Sequence, residues 1–322
     1  MNRRLEFEDK GVFMVNQLMS SPNFIIGGTS AGGTSFLSAV LVQHPQIYLP
    51  KIMRPEPHFF YKSWEYEKGL DYYIKRWFAD VPSHSLAIGE RSSSYLFGGR
   101  VVAERIASIY PDIKMIFTLR NPIERTWANY RYTVLQGLED LAFEDALEQE
   151  PQRVKDQSGI WAEIQPYNYT GRGYYGDQLK QFMECFPRDN ILTIKSEFLS
   201  RQTDVEMKKI YRFLGLSNLD FNANRPPDHT SVNVINPSLQ KELRTYFGDR
   251  FDKVIEATRK GEDMAACIDN ESDRQAIDKL KENMKWKKED IPQKARAYLQ
   301  KLFSDDMKLL KPLVDFSVDD WK

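Results

Sequence analysis

Residues 22 to 47, PNFIIGGTSAGGTSFLSAVLVQHPQI, constrain what this chain can fold into more than any other stretch. The apolar run Phe24-Ile25-Ile26 reads as a buried strand, and Thr34 to Gln43 as a helix that His44-Pro45 brings to an end. Between them lies a turn rich in glycine. A strand that feeds a helix through such a turn aims main-chain amides and the positive end of the helix at one point, which suits an anion. Gly28 to Ser35 keeps the length of a Walker A loop, but Thr34 stands where that loop carries its lysine. Hydrolysis at a γ-phosphate is therefore poorly supported. Anion binding by the amides of Gly32 to Ser35, with the hydroxyls of Thr34 and Ser35, remains open, as does a tight turn without a ligand.

The rest of the chain alternates in the same manner. GLDYYIKRWF (69 to 78) places Leu70, Tyr73, Ile74 and Trp77 at helical spacing, SLAIGERSSSYLF (85 to 97) reads as a short strand entering a polar turn, and VVAERIASIYP as a helix. IKMIFTLRNP (113 to 122) predicts a second buried strand ending at Arg120, IERTWANYRYTVLQG and DQLKQFMECFP predict helices, and NILTIKSEFL a further strand. This alternation predicts an α/β fold, with a parallel sheet covered on both faces and ligands beyond the carboxyl ends of its strands. In the tail, residues 236 to 258 and 291 to 313 share a Pro, a Leu-x-x-x-Phe and a following helix, an imperfect echo that predicts a helical cap. The intervening KLKENMKWKKED (279 to 290) is either a solvated helix face or a basic segment able to approach an anion.

Composition excludes several classes. With 45 basic and 46 acidic side chains in 322 residues, the chain lacks the basic surplus of a general nucleic-acid or polyanion binder. Cys185 and Cys267 are too few for a disulfide framework and nothing near them spaces like a metal site, so both read as ordinary thiols. Residues 1 to 21 are too polar for a secretory core and no run reaches a membrane span, so the expectation is a soluble, cytoplasmic protein with no membrane partner. Residues 1 to 21 form a leader in this reading, residues 22 to 322 one domain, and 236 to 322 its helical C-terminal part.

Arg120, at a strand's carboxyl end, would sit beside the glycine-rich turn if the two strands are neighbours, and its planar fork suits a phosphate. Arg125 could instead pair with Glu124 or Glu90. KIMRPEPHFFY (51 to 61) holds a carboxylate, Glu56, and an imidazole, His58, two residues apart and followed by aromatics. Burial beside those aromatics is expected to raise the Glu56 pKa towards the range useful to a general base; the alternative is a loop ion pair and a core histidine. Tyr61, Trp64, Tyr66, Tyr72, Tyr73 and Trp77 crowd the same region as core or as pocket lining. His229 is a loop histidine with no assigned role.

Taken in order, FIIGGTSAGGTSFLSAVLVQHPQI, RPEPHFFY with YEKGLDYYIKRWF, IGERSSSYL, LRNPIERTWANY and GRGYYGDQLKQFMECFPRDNILTIKSEFL resemble the sulfotransferases that use 3′-phosphoadenosine 5′-phosphosulfate (PAPS). The branch resembled is that of heparan-sulfate and bacterial natural-product sulfotransferases. The resemblance implies a P-loop-like three-layer α/β fold with a central parallel sheet of roughly five strands and a helical C-terminal cap. It implies that Ser30, Ala31, Gly32, Gly33, Thr34 and Ser35 hold the 5′-phosphosulfate, that Arg120 and position 128 hold the 3′-phosphate, and that Arg172 reaches the nucleotide or the acceptor. Glu56 becomes the base, His58 its neighbour, and Arg91 occupies the place of the lysine that usually follows Glu90.

Two positions depart from the family pattern: Ala31 stands where a lysine usually grips the leaving phosphate, and Ala128 where a serine usually touches the 3′-phosphate. Lys51, Arg54 and residues 281 to 288 are candidate replacements for the lysine. The expected reaction moves a sulfuryl group from PAPS, leaving adenosine 3′,5′-bisphosphate (PAP), to a hydroxyl or amine of a small molecule such as a bacterial secondary metabolite. No metal is required, because fixed dipoles and cations hold the transferred group. A non-catalytic nucleotide-binding relative and a P-loop kinase or NTPase are the rivals, and a homodimer stays open.

Overall fold

The structure, a computed structural model, describes residues 21–51, 55–225, 232–262, 270–287 and 289–321. Arg54, His229, Cys267 and all but the last residue of the expected leader lie outside them. The described residues group into two compact units, one within 1–121, 174–226 and 304–322, the other within 122–173 and 227–303.

The first unit is built on a five-stranded sheet of β1 (Phe24–Gly28), β2 (Ile47–Tyr48), β3 (Ala87–Arg91), β4 (Lys114–Leu119) and β5 (Ile191–Lys195), in the order β2-β3-β1-β4-β5. All its pairings are parallel, with Ile26 beside Arg91, Gly28 beside Phe117 and Leu119 beside Lys195. The alternation of the strands sorts their side chains onto two faces. Ile25, Met115, Phe117 and Ile191 pack with Tyr73, Val102, Ile106, Leu179 and Phe182 in one core. Phe24, Ile26, Ile116 and Ile194 pack with Leu37, Val40, Met207 and Ile210 in the other. These partners come from helices α1 (Thr34–Leu41), α2 (Leu70–Trp77), α3 (Tyr95–Ile109), α4 (Tyr175–Met183) and α5 (Thr203–Leu214), so the layers run helix, sheet, helix, as the resemblance implied. Gly89 is required by close packing: a Cβ there would lie 2.4 Å from the Phe24 ring.

The second unit is mainly helical. Its core gathers Leu135, Leu243, Phe247, Phe251, Val254, Ile255, Ile277 and Leu280. Two features differ from the sequence reading. The basic stretch 279 to 290 is helical only to Glu282; Met284–Trp286 then pairs antiparallel with Val232–Val234, placing Val232 opposite Trp286. Asn283 ends the helix by donating from its side chain to Asn236 O (3.0 Å) and Gln240 Oε1 (3.0 Å), contacts far away in sequence. The echo in the tail is not a structural repeat. Its first copy breaks at Gly248 (φ 53°) into Pro237–Phe247 and Phe251–Lys260, whereas its second is one helix, Gln293–Leu310.

Candidate active site

The glycine-rich turn joins β1 to α1 and is pinned to the neighbouring strand. Thr29 N donates to Thr118 O (2.9 Å), Thr118 Oγ1 to Gly28 O (3.0 Å), and Gly32 N to Thr29 O (2.9 Å). A Cβ on Gly32 would come within 2.8 Å of Thr118 O, so the turn closes only with glycine there. Gly33 caps α1 in the left-handed conformation (φ 93°) and brings no side chain to the first-turn amides, which have no partner within the helix. Ala31, exposed, also has positive φ (61°). The turn thus brings main-chain donors, the buried Thr34 and the half-buried Ser35 to a helix N-terminus, with Ser30 half-buried beside them.

Two arginines flank this turn. Because β4 pairs with β1, Arg120 arrives alongside it, and its Nη1 lies 3.3 Å from Ala31 O. Arg91, at the end of β3 on the other side of β1, is 5% exposed; its Nη1 donates to Ser35 Oγ and lies 3.4 Å from Glu56 Oε1.

The segment carrying Glu56 and His58 is held by the turn after β3. Glu56 Oε2 accepts from Ser93 N and Ser93 Oγ, both at 2.7 Å, and stands 3.3 Å from His58 Nε2. Burial pushes the Glu56 carboxyl up, but His58, Arg91 and the two Ser93 donors together outweigh it and hold the group below the usual carboxylate range. This corrects the expectation that burial would raise it: the expected aromatics are there, but so are cationic and hydrogen-bonding partners. His58 has a left-handed backbone (φ 46°) and donates its main-chain N–H to Ser92 Oγ (2.8 Å).

The carboxyl beside this segment that burial does raise is Glu90. It is fully buried and accepts from Ser92 Oγ (2.7 Å), Tyr95 Oη (2.7 Å) and Tyr73 Oη (3.1 Å). Desolvation lifts its pKa to about 7 against those three donors. Ser92, Ser93 and this environment of Glu90 escaped the sequence reading; the available signal was the polar run SSS directly after a buried strand.

The aromatics divide. Tyr73 is fully buried and stacks on Phe59 (centroids 4.5 Å apart), and Trp77 is 6% exposed, so both belong to the core. Tyr61 is half-buried, 6.5 Å from the His58 ring and 6.2 Å from Phe97.

The remaining expected residues belong to the second unit. Arg125 is fully buried and donates to Asn129 Oδ1 (3.0 Å) and Tyr169 O, while Glu124 pairs with Arg296 (2.6 Å). The surface pairing of Arg125 with Glu124 is thus replaced by a buried anchorage. Ala128 is half-buried on the helix Pro122–Leu135, and Arg172, in the turn Gly171–Gly173, donates to Ile164 O (2.7 Å). Among the candidate replacements for the missing lysine, Lys51, in the first unit, is exposed, and Lys281, in the second, faces Asp278 (3.8 Å).

A sulfotransferase domain model matches residues 21–310. The chain belongs to the sulfotransferase family. Among curated relatives of this chain, mouse heparan sulfate glucosamine 3-O-sulfotransferase 3B1 is 29% identical over 202 residues, 62% of this chain and 47% of the relative. Human bifunctional heparan sulfate N-deacetylase/N-sulfotransferase 2 is 27% identical over 200 residues, 61% of this chain and 22% of the relative. The chain thus spans about half the length of the first of these relatives and less of the second. The crystal structure of a sulfotransferase from Alicyclobacillus acidocaldarius superposes with a TM-score of 0.66 at 23% identity, covering 94% of this chain and 98% of that one, which establishes the shared fold. Among the described residues of this family member, no helix is long and apolar enough to cross a membrane and no group of three or more His, Cys, Asp or Glu side chains could hold a metal ion.

Proposed function

We propose that this chain moves a sulfuryl group from PAPS to a hydroxyl or amine of a small-molecule acceptor. One observation carries the reading: a single buried guanidinium, Arg91, touches both the anion-cradling turn, at Ser35, and the carboxylate of Glu56. Donor and acceptor chemistry would then meet at one cation.

Three features of the turn support a 5′-phosphosulfate there. Its first-turn amides have no side-chain cap, Gly32 leaves no room for a Cβ on its packed side, and Arg120 stands at its flank. PAPS supplies a sulfuryl group carried on a phosphate, with a second phosphate at the 3′ position. Gly33 to Ser35 would hold the 5′ end and Arg120 the 3′-phosphate. Arg91 would take over the charge that the family lysine brings at position 31. Bound there, PAPS would supply the sulfuryl group, whose bond to the phosphate oxygen would break as the acceptor's oxygen or nitrogen bonds to sulfur; Glu56 would receive the acceptor's proton and Arg91 would steady the charge left on the phosphate. Kept ionised by its neighbours, Glu56 is ready to accept at neutral pH. His58 orients it.

We take the acceptor to be a small, secondary-metabolite-like molecule rather than a polysaccharide. The near-zero net charge and the half-buried Tyr61 and Phe97 near His58 favour it over a highly anionic chain, which a basic cleft would serve better. The two units would act as one sulfotransferase domain, since the family match runs through both. Labelled sulfate from PAPS should appear on members of a panel of phenols, alcohols and amines, and PAP should bind more tightly than ATP–Mg²⁺ in calorimetry. Absence of both would overturn the reading. Binding of PAP without transfer would favour a non-catalytic relative, and salt-sensitive transfer to heparan oligosaccharides would overturn the choice of acceptor.

A further inference from the structure

The proposed reaction uses Glu56, His58 and Arg91 and leaves Glu90 idle. Yet Glu90 is a fully buried carboxyl surrounded by hydroxyls, and each of two of those hydroxyls has a second partner. Ser92 Oγ donates to Glu90 Oε2 (2.7 Å) and accepts the main-chain N–H of His58 (2.8 Å). Tyr95 Oη donates to Glu90 Oε1 (2.7 Å) and accepts the main-chain N–H of Phe60 (3.3 Å). A hydroxyl has one proton and two lone pairs. With both protons committed to Glu90, the lone pairs of Ser92 and Tyr95 face the backbone of residues 58 to 60. We propose that Glu90 is a positioning residue whose carboxylate, acting through Ser92 and Tyr95, fixes the main chain at His58 and Phe60 and thereby the aim of Glu56 and His58.

This inference rests on the sulfuryl-transfer reading for its consequence, but its structural half stands without it. His58 holds a left-handed backbone (φ 46°), a conformation that persists in a non-glycine residue only where surrounding contacts impose it. Its amide anchor is one of those contacts. A carboxylate accepts from several hydroxyls at once, whereas a glutamine at the same place would present an NH₂ to Ser92 or to Tyr95, deprive that hydroxyl of its acceptor and leave the orientation in which it holds the backbone unfixed. A protonated Glu90 creates the same conflict, because one of its oxygens becomes a donor. The titratable groups facing it are Tyr73 from α2, Tyr95 and Tyr110 along and beyond α3, and Glu56 from the supported segment. Burial and the charge of Glu56 disfavour the carboxylate while the Tyr73 and Tyr95 hydroxyls favour it, and burial prevails, so the switch between the two states falls near neutrality. The aligned loop belongs to the ionised state, and turnover should climb through that range.

The test compares the wild-type chain with Glu90→Gln, Tyr95→Phe and Ser92→Ala. Turnover is followed from about pH 5.5 to 8.5 with PAPS and p-nitrophenol, PAP affinity by calorimetry, and amide hydrogen exchange over residues 55–62. The expected result for Glu90→Gln is a roughly tenfold lower kcat, an ascending limb near neutrality that disappears, PAP affinity unchanged within about threefold, and faster exchange confined to 55–62. Tyr95→Phe and Ser92→Ala should show the same pattern more weakly, and they decide the matter if Glu90→Gln does not fold. Unchanged exchange at 55–62 overturns the proposal, whatever the kinetics. So does a neutral limb that persists in Glu90→Gln, which would assign it to His58. If the wild type turns over no acceptor, the sulfuryl-transfer reading fails, while the exchange data still decide whether Glu90 holds the segment.

Discussion

Arg91 Nη1 lies 3.4 Å from Glu56 Oε1, and the same nitrogen donates to Ser35 Oγ, so one guanidinium spans the anion turn and the carboxylate beside it. Replacing it should uncouple the two. Arg91→Ala is expected to lower kcat by about 100-fold, since it removes a charged donor aimed at a leaving group. Arg91→Lys should recover only part of this, because its shorter side chain ends in a compact, strongly hydrated charge that is costlier to bury than a guanidinium. Adding Ala31→Lys to the Arg91→Ala variant should restore activity if Arg91 stands in for the family lysine. Steady-state kinetics with PAPS check all three.

Removal of the base gives a second expectation. Glu56→Gln should reduce kcat by about 10²- to 10⁴-fold, the usual worth of a placed general base, with PAP affinity unaltered. The wild-type carboxyl titrates below the ordinary range despite its burial, because His58, Arg91 and Ser93 favour the charge. Loss of activity through protonation of Glu56 should therefore set in only in distinctly acidic buffer, well apart from the neutral limb assigned to Glu90. A pH–rate profile separates the two.

Arg120 is expected to discriminate nucleotides. Arg120→Ala should weaken PAP about tenfold by losing a charge-assisted contact, and leave adenosine 5′-phosphosulfate, which lacks the 3′-phosphate, nearly unchanged. Calorimetry with the two ligands reads the difference. Equal losses for both would place Arg120 at the 5′ end instead.

Glu90 ties stability to pH with a definite sign. Its folded pKa, about 7, exceeds its ordinary value of 4.5, so the folded state binds more protons between the two. The stabilisation is complete below the unfolded value and is lost as pH rises through about 7, a swing of about 3 kcal/mol at most. Glutamine has no such dependence. In thermal melts the Tm of Glu90→Gln should rise relative to wild type between about pH 5 and pH 8, while its turnover falls. A pH-independent Tm difference would refute the assignment.

Gly33 offers a purely conformational test. At φ 93°, with Ser196 Oγ 3.1 Å from where a Cβ would sit, Gly33→Ala should destabilise by about 1–2 kcal/mol and weaken PAP as the turn shifts. Melting and calorimetry on one sample check both.

The sequence by itself determined the elements that rest on short-range rules. The strand and turn of FIIGGTSAGGTSFL, the helix of GLDYYIKRWF and the strand ending at Arg120 were legible because apolar period, glycine placement and proline breaks act within a few residues. The two-residue strand Ile47–Tyr48 and the ribbon of Val232–Val234 with Met284–Trp286 were not, since each is too short to show a period and exists only through its partner. Only the tertiary structure set Arg120 against Ala31 and Arg91 against both Ser35 and Glu56, because strand order decides which loops meet. It also reversed the expected titration of Glu56 and made Glu90 the raised carboxyl. Electrostatic environment is the sum of groups brought together from distant parts of the chain, and Glu56 met cations where Glu90 met hydroxyls, burial and the like charge of Glu56.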